Sequence, residues 1–174
     1  GLIHAGVQKN VGPAGVQIVI VREDLVPDDL PGVPTMLRLK TQIDAGSLYN
    51  TPNCWGIYVC GKVFQWIEKS GGLEAMGERN TEKAAVLYDF LEESSLFSST
   101  VDPTCRSLMN VPFVTGDKDL DAAFVKEAAE HGLVNLKGHR SVGGMRASIY
   151  NAMPREGVEA LVSFMKDFEL AHRA

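Results

Sequence analysis

The sequence predicts an α/β chain in two parts: the incomplete end of a larger α/β domain, then a small α+β domain. Three observations carry this. Two apolar, β-branched runs, "LIHAGV" and "VQIVIV", flank a Gly/Pro-rich turn and lead into a long apolar helix. Gly71-Gly72 then interrupts two long helical stretches. The remainder alternates strand, helix, strand, strand, helix, a pattern that packs helices over one face of a small sheet. The parts are 1–70 and 71–174. Two strands and a helix are too few to bury a parallel-type sheet on both faces, so the first part reads as incomplete.

Each element has its own signal. Gly12, Pro13 and Gly15 mark a turn, so the first two runs form a hairpin whose second strand, Gln17 to Val21, is expected to be buried. "PDDLPGVP" is Pro-rich and stays irregular. In "SLYNTPNCWGIYVCGKVFQWIEKSGG", Trp55, Tyr58, Val59, Val63, Trp66 and Ile67 recur on one helical face. Thr51 reads as the N-cap of that helix and Pro52 as its first residue. A second helix runs from Leu73 to Glu93 with Met76, Ala84, Leu87 and Leu91 inward. "SSLFSSTVDP" reads as a polar connection, "RSLMNVPF" as a strand and "DLDAAFVKEAAEHG" as a helix. "VNLKGH" and "MRASIYN" read as strands. Pro154 starts the amphipathic helix "PREGVEALVSFMKDFELAHR".

Composition narrows the function. A formal net charge of -5 argues against bulk nucleic-acid binding, which leans on a positive face. No apolar run reaches the roughly 18 residues that a membrane span needs, and no secretory leader pattern is visible. Cys54, Cys60 and Cys105 form no CxxC pair, so they outline neither a disulfide framework nor a zinc site. Cys54 and Cys60 fall in the apolar helix and read as buried thiols, which suits a reducing, cytoplasmic setting.

Three stretches can carry chemistry. Lys9 sits in an apolar, Gly-rich run; dehydration favours its neutral amine, the form that attacks an aldehyde. A lysine snorkelling at a hairpin tip fits the same residues. "YNTPN" precedes a helix, where unpaired N–H groups attract phosphate, with Asn50 and Thr51 as added donors. An ordinary cap without a ligand fits equally. "LKGHRSVGGMR" gathers Lys137, His139, Arg140 and Arg146 with three glycines in an acidic chain. Glycines allow close backbone approach and arginine forks hold carboxylate or phosphate, so the stretch suits a small dianion or two anionic groups. A solvated basic loop is the plainer alternative. His4, His131 and His172 have no metal-like partners and read as structural or surface residues.

In this order, "AGVQKNVGPAG", "SLYNTPNCWGIYVCG", "RSLMNVPF" and "LKGHRSVGGMRASIYNAMP" resemble the phosphoserine aminotransferases, a family of class V pyridoxal-phosphate enzymes with fold type I architecture. The stretches cover essentially the whole chain, and GHR followed by GGMRAS is the most specific. The resemblance implies a C-terminal portion of that fold, with the end of the large cofactor-binding domain in 1–70 and the small domain in 71–174. It implies pyridoxal 5'-phosphate as cofactor and Lys9 as the catalytic lysine that holds it covalently. It implies Gln8 as a contact of the cofactor phosphate, with Asn50 and Thr51 reaching the cofactor of the other subunit in a homodimer whose active site is shared. His139 and Arg140 resemble the substrate-phosphate contacts and Arg146 the α-carboxylate anchor. No metal is implied.

The implied reaction, a step of serine biosynthesis, turns 3-phosphohydroxypyruvate and L-glutamate into O-phospho-L-serine and 2-oxoglutarate. The family's ring-stacking aromatic residue, its aspartate at the pyridine nitrogen and its Gly-rich phosphate loop lie upstream of the position matched by Lys9. The chain therefore reads as the C-terminal half of such an enzyme and is expected to be inactive alone. Two other readings stay open. One is a non-catalytic anion-binding or dimer-forming module. The other is a different class V aminotransferase acting on alanine or on serine and glyoxylate, against which the GHR motif argues because those substrates carry no phosphate.

Overall fold

The two β-branched runs find each other. In the computed structural model, which describes residues 1–172, Leu2–Gly6 (β1) pairs antiparallel with Gln17–Val21 (β2), Leu2 opposite Val21 and Gly6 opposite Gln17. The burial expected of β2 is not found: Val19 and Ile20 are exposed, as are Leu2 and Ile3 on β1. A two-stranded ribbon has no further strand beside it, so its apolar side chains remain at the surface. The chain divides into two units, Gly1–Lys69 and Ser70–Ala174.

The first unit also contains a short helix, Leu39–Asp44 (α1), and the long helix Cys54–Lys69 (α2). Periodicity places α2 correctly but misjudges its packed face. Trp55 is 67% exposed and Tyr58 63%, whereas Gly56 and Cys60 are buried. The small residues face the hairpin loop. A Cβ on Gly12 would meet Cys60 Sγ at 2.7 Å, and one on Gly56 would meet Val16 Cγ2 at 2.8 Å. Close backbone approach selects small residues there, and the aromatic residues turn away. Of the two cysteines expected to be buried, Cys60 is and Cys54 is exposed, because Cys54 opens the helix on its outer side.

The second unit is a three-stranded antiparallel sheet carrying three helices. Its elements are Gly72–Glu93 (α3), Ser98–Ser99 (β3), Asn110–Val114 (β4), Lys118–Glu130 (α4), Met145–Ser148 (β5) and Arg155–Ala171 (α5). Strand order is β3-β4-β5. Phe113 pairs with Met145 and Val111 with Ala147, and all four are buried. They share one core with Leu87 and Leu91 of α3, Phe124 of α4 and Met165 of α5. Met76, Ala84, Leu87 and Leu91 are inward as periodicity predicts. Arg173, the last residue of the expected C-terminal helix, lies outside the described residues.

Three local expectations are corrected. The supposed polar connection contributes Phe97, buried at the centre of the core with its ring 5.1 Å from Phe124 and 6.0 Å from Phe113. A single aromatic residue among serines gives no periodic signal. The strand expected over "RSLMNVPF" begins only at Asn110, because Ser107 Oγ accepts from the N–H groups of Met109 (3.0 Å) and Asn110 (3.2 Å) and turns the chain first. The strand expected over "VNLKGH" shrinks to one bridge, Lys137 with Met145. Asn135 adopts a left-handed φ of 63°, which interrupts an extended run.

Behind β5, Lys83 of α3 is 1% exposed and donates to the carbonyls of Tyr150 (2.8 Å) and Met153 (3.0 Å). Beside it, Asn80 Nδ2 donates to Asn151 Oδ1 at 2.8 Å. These bonds fix the turn between β5 and α5. Burial, and secondarily the charge of Arg79, hold the Lys83 ammonium below the ordinary lysine pKa. Between its folded and unfolded pKa values the unfolded chain binds more protons, so stability rises with pH in that window. Urea melts from neutral pH up to the ordinary lysine range are expected to show this rise, and Lys83→Met is expected to remove it. An identical pH slope in the variant would contradict the assignment.

Candidate functional site

The loop that carries Lys9 is built on one buried carbonyl. Val7 is buried, and its C=O accepts from the N–H groups of Lys9 (2.7 Å), Gly12 (2.9 Å) and Val11 (3.2 Å). The Val7 N–H donates to Val16 O at 3.3 Å. One acceptor serving three donors folds residues 8–12 into a tight turn and leaves Gln8 and Lys9 exposed. The apolar neighbours therefore do not enclose the Lys9 side chain, contrary to the dehydration expected from the sequence.

Asn53, whose role no periodicity in the sequence signals, ties this loop to α2. Its Oδ1 accepts from Gly56 N at 3.0 Å, the N-cap bond, and its Nδ2 donates to Gly15 O at 3.5 Å. Gly15 has a φ of 99°, a conformation that favours glycine. The expected cap at Thr51 and first turn at Pro52 are corrected: α2 starts at Cys54. Asn50 and Thr51 lie just before it, both exposed, with Asn50 Nδ2 3.6 Å from Met36 Sδ. Asn is itself a favoured N-cap residue, but the Thr-Pro pair beside it is the more conspicuous signal and misleads.

In the second unit, His139 and Arg140 sit at the tip of a loop closed by its own backbone. Gly138 N donates to Gly144 O (2.8 Å), Gly143 N to His139 O (2.8 Å) and Arg146 N to Leu136 O (2.7 Å). Gly143 and Gly144 have φ values of 81° and 60°. A Cβ on Gly138 would run into the carbonyl oxygen of Gly143, and one on Gly144 would meet Phe113 O at 2.9 Å. The glycines thus press the loop onto β4. His139 and Arg140 line a pocket of about 720 Å³ together with Lys118, Lys137 and the apolar Val114 and Val125. Asp121 also lines it, but its Oδ1 is engaged by Thr115 N (2.9 Å) and Thr115 Oγ1 (2.7 Å). Lys118, Lys137 and Arg140 therefore outweigh one occupied carboxylate, and the pocket suits an anion.

Arg146 is on β5, opposite Pro112, on the face away from the core. It does not line that pocket. Its Nε is buried and has no hydrogen-bond partner. Leaving a buried guanidinium donor unpaired costs roughly 1–3 kcal/mol, which an incoming carboxylate would recover. Among the described residues no cluster of three or more His, Cys, Asp or Glu side chains is arranged for a metal ion, and no helix is long and apolar enough to cross a membrane.

Residues 2–161 match the family model described as aminotransferase class-V. The chain is 56% identical to a phosphoserine aminotransferase of Listeria innocua and 57% identical to one of Nitrosomonas europaea, covering 99% of this chain and 47% of each relative. In structure it is similar to the phosphoserine aminotransferase of Bacillus circulans subsp. alkalophilus, with a TM-score of 0.96 and 49% identity over 99% of this chain and 48% of that one. It is also similar to the PLP-bound phosphoserine aminotransferase of Trichomonas vaginalis, with a TM-score of 0.89 and 43% identity over 95% of this chain and 48% of that one. The chain spans about half the length of the curated relatives it matches. The α/β architecture is that of a partial aminotransferase fold.

The glycine-pinned loop is open to test. Gly138→Ala is expected to displace residues 138–144 and to destabilise by about 1–3 kcal/mol, the usual penalty of overpacking. Amide chemical shifts should move throughout the loop and at Phe113. Unchanged shifts and stability would contradict this account of its closure.

Proposed function

The chain belongs to the aminotransferase class-V family, and on that premise we propose that it is one half of a phosphoserine aminotransferase. The complete enzyme then makes O-phospho-L-serine and 2-oxoglutarate from 3-phosphohydroxypyruvate and L-glutamate, as a cytoplasmic homodimer in serine biosynthesis. The observation that carries this reading is the glycine-pinned loop holding His139 and Arg140 over a cationic pocket. The orphaned Arg146 Nε supports it as the place for a second anionic group.

The residues of the first unit fit pyridoxal 5'-phosphate. Lys9 offers an exposed primary amine on a loop fixed by the Val7 carbonyl, and Gln8 beside it offers amide donors for a phosphate. Asn50 and Thr51 add an amide and a hydroxyl for the phosphate of the partner's cofactor. When bound, the cofactor supplies an electron sink for breaking a bond at the substrate Cα.

The chain's own side chains divide the remaining work. Lys9 would hold the cofactor covalently and, once the substrate has displaced it, would be placed to take the proton from Cα and return one. Arg146 pairs with the α-carboxylate and so decides which Cα bond is presented for cleavage. His139 and Arg140 receive the substrate phosphate. A substrate phosphate gains charge-assisted hydrogen bonds from Arg140 that an uncharged side chain does not, which is how the site discriminates.

Free thiols at Cys54, Cys60 and Cys105 suit a reducing cytoplasm. The exposed Trp55, Tyr58 and Phe64 of α2 support an extensive apolar contact with further protein. A chain half the length of its relatives is expected to be inactive alone. In the complete enzyme, His139→Ala and Arg140→Ala are each expected to lower kcat/KM for O-phospho-L-serine by about ten- to a hundredfold, the loss of hydrogen bonds to a charged group. Unphosphorylated amino donors should lose least. An equal loss on every substrate would overturn the phosphate assignment and favour an aminotransferase for unphosphorylated substrates.

A further inference from the structure

His139 does not stand alone at the loop tip. Its Nδ1 lies 2.7 Å from Ser141 Oγ, and the Ser141 backbone N–H donates to the same Nδ1 at 3.3 Å. A backbone N–H can only donate, so Nδ1 is an acceptor and carries no proton. The Ser141 hydroxyl then donates as well. In neutral imidazole the proton must therefore be on Nε2. The backbone of the same turn is fixed independently: the N–H groups of Val142 (2.9 Å) and Gly143 (2.8 Å) both donate to His139 O. Ring and backbone of His139 are thus both held by residues 141–143.

We propose that Ser141 is a positioning residue for anion recognition, fixing His139 as an Nε2–H donor on the pocket. The inference rests on the phosphate reading of that pocket and deepens it. An imidazole with the opposite tautomer would turn a lone pair toward a phosphate and repel it. With Nε2–H fixed, His139 donates to the anion without having to be charged, and Arg140 supplies the charge. Two bonds on Nδ1 also restrict the ring's rotation, so less freedom is lost when the substrate arrives.

Two measurements test this. Imidazole nitrogen-15 spectra of the chain, with His139→Asn to assign the ring, are expected to show a bare Nδ1 and a protonated Nε2 above the pH of imidazole titration. Ser141→Ala is expected to move the ring toward a mixture of tautomers, and Ser141→Thr to restore it. In the complete enzyme, Ser141→Ala should raise KM for O-phospho-L-serine by about two- to tenfold, the range for one lost hydrogen bond. kcat should change little, KM for L-glutamate should rise less than that for O-phospho-L-serine, and Ser141→Thr should recover the loss. A protonated Nδ1 in the unsubstituted chain overturns the proposal. So does a Ser141→Ala enzyme with unchanged KM while His139→Ala remains selective against the phosphorylated substrate, an outcome that leaves the phosphate reading standing. If His139→Ala itself shows no such selectivity, the phosphate reading fails and this inference fails with it.

Discussion

The register of β5 on β4 is the constraint from which the second unit follows. Phe113 faces Met145 and Val111 faces Ala147, and this places four side chains in the core. Strand side chains alternate, so Arg146 and Ser148 must then point to the other face. A slip of one residue would drive the Arg146 guanidinium into a core of phenylalanine rings and expose Met145. The core that enforces the register is aromatic: Phe97 lies among Phe90, Phe113, Phe124 and Phe168, with ring centroids 5.1–6.1 Å away. The same register sets where the preceding loop must close. Met145 bridges Lys137 and Arg146 N reaches Leu136 O, so residues 138–144 form a closed excursion with His139 and Arg140 at its tip.

The first unit solves a similar problem with less material. A loop must hold Lys9 out while staying attached to a helix. The Val7 carbonyl gathers three N–H groups, and Asn53 fastens the far side of the loop at Gly15 while capping α2. Small residues on both partners, Gly12 against Cys60 and Val16 against Gly56, permit the close approach. In each unit a candidate site side chain is exposed, and the backbone beneath it is over-determined by hydrogen bonds. Pre-organisation of this kind lowers the entropy lost when a ligand is bound.

Much of this was legible in the sequence, for identifiable reasons. Long periodic segments such as Gly72–Glu93 announce themselves, and Gly71-Gly72 marks the break before them. The loop motif "GHRSVGG" is legible because Lys137, His139, Arg140 and Arg146 fall within ten residues of an acidic chain with glycines between them. What escaped depends on partners distant in sequence. Phe97 is recognisable as core only once α4 and β4 surround it. The aromatic residues of α2 look like its packed face in the sequence because periodicity reports a stripe but not what lies opposite. Ser141 and Asn53 act through single polar atoms, and one hydrogen bond leaves no period in a sequence. The thread "VNLKGH" looked like a strand because its composition allows one; a left-handed Asn135 decides otherwise.

On the proposed function, Lys9 is the residue that would hold the cofactor in the complete enzyme. The most direct measurement is peptide mapping of the complete enzyme, isolated with its cofactor and reduced with borohydride to make the lysine–cofactor bond permanent. If Lys9 holds the cofactor, the added cofactor mass lies on the peptide that contains Lys9, at Lys9 and at no other lysine of this chain. A reduced enzyme in which Lys9 is unmodified and another lysine carries the cofactor would contradict it.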